Sequence, residues 1–336
     1  MRTGLLPKMG GFRILGRSAG GWWRGLGAHA PPRDAGYSTK TGHHLQPQGS
    51  SKRSGVPRDQ PFPGVLQLKT LSREELVGVL REAVVDKKGK PGELTLLSVL
   101  PELNQSLGLS EQDLHVVQAA GKEASGLVLL SSCPQTASRL QKFFIHSRKA
   151  QRPTATYCAI TDGIPATSEG KIQAALKLEC SDGVNLVVPV KSPSRKDILE
   201  GVRRTHSYFR VMATGSGCAL VQLQPLTAFP DQLQVHMMLQ LCPLLGDHTY
   251  SARVGTVLGQ RFLFSAQSTK PQRQVLDEAL LRCLHLTPSQ ASQLPLHLHL
   301  HSLLLPGPRP RDTPMELLAP LPPYFSRTLQ YLGLCQ

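Results

Sequence analysis

The sequence predicts an α+β fold, a mixed and largely antiparallel sheet flanked by helices. Three observations carry the prediction. From Thr154 to Leu226 the chain breaks into short β-branched or alternating runs bounded by turn residues. Stretches with helical spacing lie before and after that block, so helices pack on a sheet. The 336 residues are 40% apolar, enough for a core in one large domain or two ordinary ones.

Taken in order, Ser72 and Glu75 form a capping box ahead of Leu76, Val79, Leu80 and Ala83, which predicts the first helix. A second helix is expected over residues 94–103, with Leu96, Leu97 and Leu100 facing inward. Residues 127–130 read as a buried strand. Residues 134–144 read as a helix with Pro134 in its first turn and Leu140, Phe143 and Phe144 on its apolar side. Strands follow at 156–161, 171–178, 185–190, 208–213 and 219–226, with Gly215-Ser216-Gly217 as a hairpin turn. Helices at 231–241 and 273–284, a final strand at 296–305 and a helix at 323–332 complete the prediction.

The formal charge of +15 is uneven: residues 1–62 hold ten Lys/Arg against Asp34 and Asp59. A basic body suits a polyanionic partner, RNA first among them. The first 33 residues contain Arg2, Lys8, Arg13, Arg17, Arg24 and Arg33 and no acid. Arg-rich, acid-free, mildly amphipathic composition without a long apolar run is the pattern of a mitochondrial transit peptide. Residues 1–37 are therefore read as a targeting segment and 38–70 as a disordered basic linker rich in Gly, Pro, Ser and Gln. The ordered domain is expected over 71–336. Seven scattered cysteines with no CxxC argue for reduced thiols in a matrix-like or cytosolic compartment, and against a disulfide framework or zinc site. With the transit-like start, the expected location is the mitochondrial matrix. No apolar run approaches the ~18 residues that span a bilayer.

Residues 116–131, VVQAAGKEASGLVLLS, resemble the nucleophile loop of the RluA-type pseudouridine synthases, roughly H-R-L-D-x-x-T-S-G-L-x-L-x-A. Four further places share the resemblance. Tyr157 in ATYCAITDG matches the family's strand tyrosine. Residues 221–238 resemble L-x-P-x-T-G-R-x-H-Q-I-R-x-H-L, with Thr227, Gln232, Leu233 and His236 matching and with Phe229 and Gln234 in place of two arginines. Gly246-Asp247-His248-Thr249-Tyr250 is similar to G-D-x-x-Y, and residues 315–334 to the family's APLP…F…TL segment. Within that family the chain most resembles the mitochondrial RluA-domain mRNA enzymes.

The resemblance implies isomerisation of uridine to pseudouridine in mitochondrial RNA, in support of mitochondrial translation, with no metal or organic cofactor. The implied partners are mitochondrial messenger or ribosomal RNA and other RNA-processing proteins. In such enzymes an ionised aspartate acts at the sugar, an arginine pairs with it, and a tyrosine stacks on the flipped base. Here Gly121 fills the aspartate position, Gln234 the arginine position, and Tyr157 remains. Losing both charges together is expected to leave an uncharged pocket. Losing the aspartate alone would strand a guanidinium at ~3–5 kcal/mol. Glu123, two residues on and otherwise a solvated loop charge, and Asp231, otherwise a helix N-cap, are the candidate substitute carboxylates. A binding protein that keeps the RNA groove without turnover is the competing expectation.

Phosphate contacts are assigned to Lys122, Arg148, Lys149 and Arg152; otherwise the last three form a solvated loop. Lys191, Arg195, Lys196, Arg203 and Arg204 form a second basic tract, in a segment expected to be mobile. His297, His299 and His301 would share one strand face but have no acidic or cysteine neighbour, so no metal is assigned. Against the family pattern, about 15 residues are missing near Gly89–Lys90, enough to remove a strand.

Overall fold

The computed structural model describes residues 114–335 except 122, 182–183, 266–270 and 308–311, together with residues 62, 100, 101 and 103–105. The expected targeting segment, the linker, the helix after Ser72 and the junction near 89–90 lie outside the described residues.

Strand β1 (His115–Ala119) pairs antiparallel with β3 (Val128–Ser131), and the two-residue β2 (Ser125–Gly126) lies between them in the chain. Helix α1 (Pro134–Lys149) opens with its proline where a missing N–H costs nothing, and runs five residues past the expected end. Then come β4 (Ala155–Asp162), β5 (Glu169–Ser181), β6 (Val184–Val190), α2 (Arg195–Leu199), β7 (Arg203–Gly215) and β8 (Cys218–Pro225). Helix α3 (Gln232–Leu239), the hairpin β9 (Val254–Val257) and β10 (Gln260–Leu263), α4 (Glu278–Leu284), α5 (Pro288–Ala291), β11 (Leu298–Leu305), β12 (Met315–Leu318) and α6 (Pro323–Tyr331) complete the order.

Seven of these strands hydrogen-bond in the order β12-β11-β4-β8-β7-β5-β6, and β2 joins β11 in parallel. Every other strand pairing among the described residues is antiparallel. The mixed, largely antiparallel α+β sheet is thus as the sequence predicts. Ser216 (φ 49°) and Gly217 (φ 76°) turn β7 into β8, both in the left-handed region that matches strand twist.

Several boundaries differ from the sequence reading, each for a local reason. The expected helix at 273–284 starts only at Glu278, because Asp277 Oδ1 caps Leu280 N–H at 2.7 Å. Gln274 is drawn aside, its Oε1 accepting Gly246 N–H at 2.7 Å. The strand at 296–305 is not the last, since β12 follows and pairs with it. The basic tract after Lys191 is not a loose loop: Ser194 and Asp197 close a capping box on α2, and Arg203 and Arg204 begin β7.

Core packs on both faces of the sheet. Leu140 and Phe144 of α1 and Leu233 and Met237 of α3 cover Tyr157, Ala159, Val221 and Leu223. Leu280 and Leu284 of α4 and Phe325 and Leu329 of α6 cover Ile160 and Cys218 on the other face. Seven of the eight residues of α3 are buried, so the helix is held on nearly all sides. Six residues, 226–231, join β8 to that helix, and the candidate site forms at this junction.

Candidate active site

The segment between β8 and α3 is pinned to β7 by polar side chains. Thr227 Oγ1 accepts from His206 N–H at 2.9 Å and lies 2.8 Å from Gln232 Oε1. Gln232 Nε2 donates to His206 O (3.0 Å) and Ser207 Oγ (2.9 Å). His236 Nε2 meets Thr205 Oγ1 at 2.8 Å, and burial lowers this imidazole's pKa to about 4. Asp231 takes a left-handed φ of 46° and does not cap the helix, contrary to the sequence reading. Its Oδ2 instead accepts from Tyr250 Oη at 2.8 Å.

The loop between β1 and β2 has two parts. At its start Gly121 is exposed, with open space where a Cβ would stand. At its end Ser125 Oγ lies 2.9 Å from His299 Nδ1. Gly126 there holds φ +120°, and a Cβ would come within 2.3 Å of the Leu300 carbonyl. The β2–β11 pairing forces this approach.

These two segments, α1 and β4 enclose a cleft of about 360 Å3. Gly121, Tyr157, Gln234 and Arg148 line it together, beside Glu123, Asp231, Phe144 and Phe229. Tyr157 is 8% exposed, and burial pushes its phenol up to about 12, so it stays protonated at neutral pH. Partial burial lowers the Arg148 guanidinium. Lys149 and Arg152 are exposed and are not among the cleft-lining residues, while Lys122 lies outside the described residues.

The expectation of an uncharged pocket does not hold, since Glu123, Asp231 and Arg148 line the cleft, and Asp247 adds a buried carboxyl group near Gln234. Its carboxylate is fully buried, and burial raises its pKa to about 6, with the nearby charge of Glu123 adding to the rise. Oδ1 accepts the Thr249 and Tyr250 N–H groups (2.9 and 3.0 Å), whereas Oδ2 has no hydrogen-bond partner. Gln234 is close enough to favour the ionised form, though it makes no full hydrogen bond to Oδ2. An arginine at 234 would find a carboxylate waiting here. The motif Gly246–Tyr250 carried the signal, but only the fold reveals which side chain it faces.

The three histidines near β11 are engaged by the protein. His297 meets Pro295 O (2.8 Å) and Thr328 Oγ1 (2.8 Å), His299 meets Ser125, and His301 meets Ala319 O at 2.8 Å. Burial lowers His297 and His299 to about 4.

A family profile described as RNA pseudouridylate synthase matches residues 82–239. The chain is 73% identical over 349 aligned positions to the mitochondrial mRNA pseudouridine synthase RPUSD3 of Homo sapiens, covering 99% of each chain. It is 66% identical to the Rpusd3 of Mus musculus (98% of this chain, 100% of the relative). It is 32% identical to the mitochondrial pseudouridylate synthase RPUSD4 of Bos taurus (81% and 72%). Among solved structures, human RNA pseudouridylate synthase domain containing 4 superposes with a TM-score of 0.58 at 25% identity, over 78% of this chain and 97% of that one.

Proposed function

Because the chain belongs to the RNA pseudouridylate synthase family, we propose that it isomerises uridine to pseudouridine in mitochondrial RNA, messenger RNA above all, in the matrix. The observation that carries this reading is convergence. Gly121, Arg148, Tyr157 and Gln234 come from four separate segments and line one cleft. That cleft would receive a uridine flipped from its stack. Tyr157, held neutral, offers a ring face to the base more readily than a proton-abstracting oxygen. Arg148 supplies positive charge for the flanking phosphate.

The carboxylate that acts at the sugar is the open part of the mechanism. Glu123 and Asp231 both line the cleft, and Asp231 is already bonded to Tyr250. We assign the role to Glu123, whose charge already acts on the buried Asp247 beneath the cleft. The glycine at 121 favours one other reading, an RNA-binding protein with impaired turnover. The domain plan belongs to the same proposal: targeting segment 1–37, basic linker 38–70 and catalytic domain 71–336 with a shortened stretch near 89–90. In support of the shortening, 349 aligned positions against 336 residues leave at least 13 positions where the human relative has a residue and this chain has none.

Purified protein incubated with uridine-containing RNA, followed by pseudouridine-specific carbodiimide mapping, tests the reading. Product above a no-enzyme control, lost in Glu123→Gln and kept in Asp231→Asn, is the expected result. No product despite retained RNA binding would overturn turnover. In that case Gly121→Asp with Gln234→Arg is expected to restore it, because position 121 has open space for the new side chain.

A further inference from the structure

A second concavity, of about 800 Å3, is distinct from the cleft and lies between β5, the end of β6 with the chain that follows it, and the Arg253–Ser265 hairpin region. Its lining brings together Lys191, Arg204, His206 and Arg253, with no acidic residue among the described residues that line it. Arg253 is 7% exposed, and its Nε has no hydrogen-bond partner. The Nδ1 of His206 is also buried without one. Two unsatisfied buried nitrogens of basic side chains in one concavity point to a ligand that accepts hydrogen bonds and carries negative charge.

Neighbouring cations on β5, α2 and β7 are used differently. Lys177 and Lys196 reach Glu200 at 3.6 and 3.8 Å, and Arg210 reaches Glu169 at 3.0 Å. None of the four groove residues has an ion pair among the described residues. Burial and the charges of Lys171 and Arg204 lower the pKa of His206, the signature of a field already positive before any ligand arrives.

The groove and the cleft share a wall. The main chain of His206 is hydrogen-bonded to Thr227 and Gln232, both of which line the cleft. A single strand with its target uridine in the cleft therefore has a short path to the groove. We propose that the groove binds a backbone phosphate of the RNA, at a nucleotide adjacent to the target, and so sets the register of the strand. The inference rests on the RNA reading above and deepens it by naming a positioning site outside the chemistry.

The test is RNA affinity of the full chain, measured by fluorescence anisotropy over a range of potassium chloride, for the native protein and for Lys191→Ala/Arg204→Ala. Both side chains are exposed, so thermal melting is expected to be unchanged in the variant. The double variant is expected to bind about tenfold more weakly, with a salt dependence shallower by roughly 0.7–1.4 on a log–log plot. Lys191→Arg/Arg204→Lys is expected to restore both. A single neutral methylphosphonate linkage beside the target should reproduce the loss in the native protein and add nothing in the alanine variant. Inorganic phosphate serves as the other arm. Its binding in the groove, combined with RNA affinity indifferent to the two alanines, would overturn the assignment to RNA. Unchanged affinity and slope in the variant, while the native protein binds and isomerises uridine, would sink this inference alone. A native protein that binds no RNA would sink it together with the proposed function.

Discussion

The two sides of the segment from Thr227 to His236 have diverged in opposite ways. On the side that faces β7, Thr227, Gln232 and His236 agree with the RluA-type pattern, and each makes a side-chain hydrogen bond into the sheet. Phe229, Asp231 and Gln234, which line the cleft beside Thr227 and Gln232 but make no side-chain hydrogen bond to β7 among the described residues, depart from it. The loop between β1 and β2 repeats the division. Ser125 and Gly126 keep the pattern and dock on β11, while Gly121 loses it and faces open space. Positions that hold the fold are constrained by neighbours on every side. Positions that face substrate are constrained by chemistry alone, and there the chain has moved away from the usual charges.

The sharpest way to break this contrast uses two glycines of one loop. Gly126→Ala must place a Cβ against the Leu300 carbonyl at a left-handed φ. Strain of this kind costs ~1–3 kcal/mol before the displaced β2–β11 pairing is counted, so we expect failure to fold or a loss of more than about 4 kcal/mol. Gly121→Ala is expected to change stability by less than about 0.5 kcal/mol. Thermal melts of the two variants decide it; equal losses would show that position 121 is also structural.

Two glutamines, two residues apart, give the next largest effect. Gln232→Leu removes three hydrogen bonds and leaves Thr227, Ser207 and the His206 carbonyl short of partners, an expected cost of about 4 kcal/mol. Gln234→Leu removes no hydrogen bond among those described and is expected to cost about 1 kcal/mol or less, while altering RNA turnover. Chemical denaturation compares them, and a larger loss at 234 would reverse the assignment of faces.

How far this was legible from sequence follows the same division. Alternation and turn residues located the meander from β4 to β8, because a half-buried strand must alternate and a tight turn needs a left-handed residue such as Gly217. Gly121, Tyr157 and Gln234 follow from the resemblance and Arg148 from its basic cluster, and the fold brings the four to one cleft. Periodicity could not reveal β1, whose Val117 is its single buried position, or the short β9–β10 hairpin. Nor could it reveal that Asp247 lies buried near Gln234, since twelve residues of helix and loop separate the two along the chain. The motif marked Asp247; burial gave it meaning.

Asp247 also gives the smallest and most diagnostic effect. Its folded pKa is raised to about 6, above the ordinary value of 3.8, because burial disfavours the carboxylate. Below pH 4 both folded and unfolded chains hold the proton, and the acid costs nothing. As pH rises from about 4 to 6 the unfolded chain ionises first, so stability is lost through this window and the loss is complete above it. The displacement corresponds to about 3 kcal/mol as an order of magnitude. Asp247→Asn keeps an oxygen for the Thr249 and Tyr250 N–H groups. It is therefore expected to flatten the profile between pH 4 and 6 and to stabilise the protein at neutral pH. Gln234→Arg should act in the opposite electrostatic sense, pairing with the ionised carboxylate and pulling its pKa below the ordinary value. Stability would then be present above about pH 4 and lost as pH falls through the lowered pKa. Urea unfolding at stepped pH separates the three proteins. A native profile unchanged by Asp247→Asn would remove this acid as the charge the missing arginine left behind, and with it the claim that the cleft side changed at the expense of a group beneath it.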